Sequence, residues 1–119
     1  MTDPKSFRKL LQLCNVELLA LPEKELCSDL VELVLSGENP TEALRVCLAL
    51  AVHSSVEVRG VVASCFGHLA RLHRDLDLSR VEVALDQISA DEQLKGRVED
   101  AREDIEQFLK NIGRANDNE

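Results

Sequence analysis

The sequence predicts an all-α chain, built from antiparallel helical hairpins stacked as a short α-solenoid of about six helices. Three observations predict it. Aromatics are only 3% of the 119 residues, with no Trp and no Tyr, so a core must come from Leu, Val, Ala and Ile. Leu and Ala at helical spacing favour helices over strands, which prefer aromatic and β-branched residues. Capping residues, prolines and glycines cut the chain into segments of helical length. A residue pattern also returns after 38 positions. The length suits one domain over residues 1–119, and 45% hydrophobic residues suffice for a core.

The first hairpin is predicted over roughly residues 4–36. Asp3 suits an N-cap and Pro4 a first helical position. Phe7, Leu10, Leu11 and Cys14 then recur at helical spacing. Pro22 marks a break and a restart. Leu26, Leu30 and Val34 define the second helix, and Gly37 ends it as a C-cap. The second hairpin covers roughly 39–74. Asn39-Pro40 reads as a cap followed by proline at the first position. Ala43, Leu44, Cys47, Leu48 and Leu50 follow on one broad apolar side. Ser54-Ser55 makes a turn and caps a helix from Val56 to about Arg74. The third hairpin covers roughly 77–112. Asp77 or Ser79 caps a helix holding Val81, Leu85 and Ile88. The polar run Ser89 to Glu92 is a turn, and a long helix then runs to Ile112, with Gly113 ending it. The polar tail 114–119 is expected to fray.

A shift of 38 positions carries Ala43 to Val81, Cys47 to Leu85, Leu50 to Ile88, Arg59 to Arg97 and Ala63 to Ala101. A helical-pair repeat near 40 residues is the signature of HEAT-type solenoids. Each pair cannot bury its apolar face alone, so pairs stack and share a core. The first hairpin matches poorly, as capping repeats do. Ser55-Val56-Glu57-Val58-Arg59, followed by a small-residue helix, resembles the second helix of a HEAT repeat. The strings Gly67 to His73 and Val98 to Ile105 resemble small bacterial HEAT-like proteins over about residues 40–110. Some of those resemble immunity proteins encoded beside polymorphic or contact-dependent toxins. The resemblance implies a cytoplasmic, non-catalytic protein that binds a basic toxin domain.

Charge narrows the classes of partner. Net charge is −8. Residues 82–119 hold 11 acids and 5 bases, and residues 1–81 hold 11 acids and 9 bases. Phosphate contacts need Lys and Arg, and single strands need stacking rings, so nucleic acid is a poor partner. A basic protein surface is a better one. No apolar run approaches the roughly 20 residues of a membrane span, and the first residues are polar, without a signal-peptide core. Cys14, Cys27, Cys47 and Cys65 form no C-x-x-C pair, and each sits in an apolar helical pattern. Four buried, reduced thiols are expected, with disulfides or a metal site as the lesser readings.

The helix after Ser55 carries two faces. Val58, Val61, Val62, Cys65, Leu69 and Leu72 share one, and Gly60, Ala63, Ser64, Gly67 and Ala70 fill much of the rest. Each helical glycine costs roughly 1 kcal/mol relative to Ala, so something should approach the backbone closely. A neighbouring helix is one reading and a groove for a partner is the other. His68 and His73 lie five apart, about 140° around the helix, whereas a two-His metal pair prefers a spacing of four. No metal or cofactor is expected. His68 or Arg71 is expected to pair with Asp100 or Asp104 on the next hairpin. Arg59 and Arg97 are expected to support the stack by pairing with a carboxylate or a turn carbonyl, and Gly67 belongs to the same structural repeat. Asp100 and Asp104 resemble a carboxylate pair for acid–base work, but no nucleophile, phosphate loop or triad accompanies them, so no catalytic residue or small-molecule substrate is assigned. Val98, Ala101, Ile105, Phe108, Leu109 and Ile112 form the apolar stripe of the last helix. Glu99, Glu103 and Glu106 line its flank within about 60° of arc. They read either as a solvated face or as an acidic patch that captures a basic surface.

Overall fold

A computed structural model describes residues 6–73 and 76–117, with side chains described for 7–73 and 76–109. The chain is all-α, with no strand among the described residues. A 3₁₀ helix, Ser6–Gln12, opens it. Six α-helices follow: α1 Asn15–Leu19, α2 Glu23–Ser36, α3 Pro40–Leu50, α4 Val56–Leu72, α5 Leu78–Ser89 and α6 Lys95–Asp117. A short 3₁₀ turn, Glu92–Leu94, leads into α6.

Local chemistry sets most boundaries. Asn39 accepts a hydrogen bond from the Glu42 N–H, and Pro40 holds the first position of α3. Ser55 caps α4 by accepting from the Val58 N–H at 3.3 Å. His53 Nδ1 accepts from the Ser55 N–H at 2.9 Å and shapes that turn. Of the two caps expected for α5, Asp77 serves, accepting from the Arg80 N–H. Gly37 ends α2 in the left-handed conformation at φ 66°.

Three expectations need correction. The first segment is not a long α-helix but the 3₁₀ helix and the five-residue α1. Its physical cause lies far along the chain. Arg45 of α3 donates to the carbonyls of Leu11 and Leu13 at 3.3 and 3.2 Å. Those acceptors are thereby satisfied without a continuing α-helical ladder. Asp3 and Pro4 lie outside the described residues. The expected stop at Gly113 is also absent. α6 continues through it to Asp117. A glycine ends a helix by turning left-handed, and Gly37 is the only described residue with positive φ. The cysteines differ as well: Cys47 and Cys65 are buried, Cys27 is half-buried, and Cys14 is exposed.

The helices form two layers. The first 3₁₀ helix, α1, α3 and α5 neighbour one another in one layer, and α2, α4 and α6 do so in the other. The smallest dimension, 19 Å, fits two layers of helices about 10 Å apart. α4 sits at the centre, packing on α2, α3, α5 and α6. The 38-residue shift maps α3 onto α5 and α4 onto α6, and the four apolar pairs named from the sequence are buried: Ala43 with Val81, Cys47 with Leu85, Leu50 with Ile88, and Ala63 with Ala101. Phe66 is the largest fully buried side chain, although the apolar face read from α4 omits it. Leu72, expected on that face, is 49% exposed.

Candidate functional site

The small-residue face of α4 is an internal contact. A Cβ on Gly67 would stand 2.9 Å from Asp104 Oδ2 and 3.6 Å from the Ala101 Cα. A Cβ on Gly60 would meet Arg97 Nη1 at 3.0 Å and Cδ at 3.2 Å. The glycines let α6 lie close, so this face is the helix-packing surface and not a partner's groove. Val98, Ala101 and Ile105 of α6 are buried against the core; Phe108 is half-buried and Leu109 is 46% exposed. The Ile112 side chain lies outside the described residues.

The repeat arginines diverge. Arg59 donates to Asp91 Oδ2 at 3.2 Å, tying α4 to the turn before α6. Arg97 is exposed and makes no ion pair with a described residue; its stem lies over Gly60.

The expected bridge from His68 or Arg71 to Asp100 or Asp104 is not formed among the described residues. Arg71 instead hydrogen-bonds His68 Nδ1, one turn away on α4. Asp104 is half-buried and lies over Gly67. Glu99, Asp100, Glu103 and Glu106 are exposed on α6. Glu99, Asp100 and Glu103 make no ion pair with another described residue. Arg102, between them, reaches to α5, binding Asp86 and lying 3.4 Å from Glu82. Arg102, the one cation between Glu99 and Glu106, is therefore held by two acids of α5, while Arg97 stands exposed one turn before Asp100.

A groove of about 850 Å³ opens on the opposite layer. Leu44 and Leu48 of α3, Leu72 of α4 and Leu76 before α5 supply its apolar walls. Its charges cancel in pairs. Glu42 binds Arg45 at 2.5 Å, and Asp77 lies 3.5 Å from Arg80. The site residues named from the sequence do not include this groove. One signal for it exists: Leu44 and Leu48 lie about 100° or more from Ala43 on the α3 wheel, so the apolar arc is wider than one buried face needs.

Two of the thiols, Cys47 and Cys27, are held in their protonated form. The Cys47 thiol, buried between α3 and α4, is pushed well above its ordinary value by a hydrogen bond to the Cys65 thiol and by burial. Burial also raises Cys27, and the carboxylates of Glu23 and Glu57 add to the effect. Thiols raised in this way stay protonated and are poor nucleophiles at neutral pH. Among the described residues no group of three His, Cys, Asp or Glu side chains could hold a metal ion, and no helix is long and apolar enough to cross a membrane. Comparison with protein-family models, with curated proteins and with solved structures finds no match to this chain.

Proposed function

We propose that this chain is a protein-binding module that captures a basic protein surface with the acidic face of α6, and that it catalyses no reaction. The observation that carries the reading is the exposure of Glu99, Asp100 and Glu103 without an ion-pair partner among the described residues. Unpaired like charges on one face repel one another. A cationic partner removes that cost and is drawn in from a distance, raising the rate of encounter more than the strength of the final contact. In its sharpest form, which rests on the resemblance to HEAT-like immunity proteins, the partner is a basic, nuclease-type toxin that the chain neutralises in the cytoplasm. Glu106 extends the face along α6 and Asp104, over Gly67, lies at its border with α4, while His68 and Arg71 of α4 are proposed as further partner contacts.

The test is affinity capture from the native host, run in parallel with wild type and a Glu99→Lys, Glu103→Lys, Glu106→Lys variant. Wild type is expected to retain a basic protein, encoded beside its own gene in the toxin form. The variant is expected to lose it while keeping its circular-dichroism melt. Equal capture by both proteins would sink the acidic-face reading. Association should also slow steeply with added salt. The second reading is a HEAT-type adaptor with a different kind of partner, and the groove beside Leu44 and Leu48 favours it. It is distinguished in the same experiment by a partner that survives the charge reversal but is lost on Leu48→Glu.

A further inference from the structure

We draw no further inference here: the strongest candidate, the apolar groove between α3 and the start of α5, belongs to the second reading already given, and with its charges cancelled in pairs nothing in the structure shows what covers it.

Discussion

Arg59 and Arg97 stand at the same place in the repeat but have different surroundings. The Arg59 and Asp91 side chains are only 19% and 22% exposed, so their charges are poorly screened. Removing one partner leaves the other partly desolvated and alone. Arg59→Ala is therefore expected to cost about 2 kcal/mol, the usual worth of a hydrogen bond to a charged group. Arg97→Ala, at an exposed and unpaired site, should cost less than about 0.5 kcal/mol. Urea unfolding of both variants checks this, and equal costs would refute the difference. The two glycines make a similar contrast. Alanine gains roughly 1 kcal/mol over glycine in a helix interior. At Gly60 the crowding atoms belong to the long, exposed Arg97 side chain, which can swing away. Gly60→Ala should thus keep most of that gain. At Gly67 the new methyl meets the short Asp104 side chain, pinned beside the α6 backbone. Gly67→Ala should lose most of the gain and recover it in an Asp104→Ala background. A double-mutant cycle with no coupling between positions 67 and 104 would show the close approach to be irrelevant. Sequence reading reached both residues because glycine in a helix is anomalous in itself. It could not choose between a helix and a partner as the approaching body, since that depends on where α6 lands.

The helix ends show which elements were legible. Gly37, Asn39-Pro40, Ser55 and Asp77 act within four residues of the ends they define, so a one-dimensional reading suffices. The first segment depends on Arg45, more than thirty positions away, and no local pattern records that. Asp77 also gives a pH prediction at this scale. The Ser79 hydroxyl beside it, and next the Arg80 N–H, hold its carboxyl below the usual aspartate range. A carboxyl whose folded pKa is depressed stabilises the fold above its unfolded value, about 3.9, and loses that contribution as pH falls through the folded value. Asp77→Asn keeps a capping oxygen and cannot titrate. Near pH 7 the two proteins should melt at similar temperatures. Between about pH 4 and pH 2 wild type should lose more of its midpoint than the variant. Parallel melting curves across that range would show that the cap is not coupled to protonation.

At the scale of the whole molecule, the layered stack was readable because a 38-residue period needs no knowledge of contacts. The groove was not, because it forms where α3, the end of α4 and the start of α5 diverge, and their divergence is not written in any one helix. The stack also sets what the molecule can lose. In a solenoid each repeat is stabilised mainly by its neighbours, and fewer than three repeats seldom hold together. Here α4 is the shared member, and α6 covers its glycine face. A variant ending at Leu94 would uncover Gly60, Ala63, Gly67 and Ala70 and lose the buried Val98, Ala101 and Ile105. Two helical glycines that face water keep their entropic cost and gain no close contact in return. The truncated chain is expected to retain helical signal without a cooperative melt, and to bind a hydrophobic dye that the full chain excludes. Far-ultraviolet circular dichroism against temperature, with dye fluorescence alongside, makes the measurement. A sharp transition within a few degrees of the full chain would mean that the chain through α5 folds without α6, and that α6 is an attached acidic arm and not part of the core.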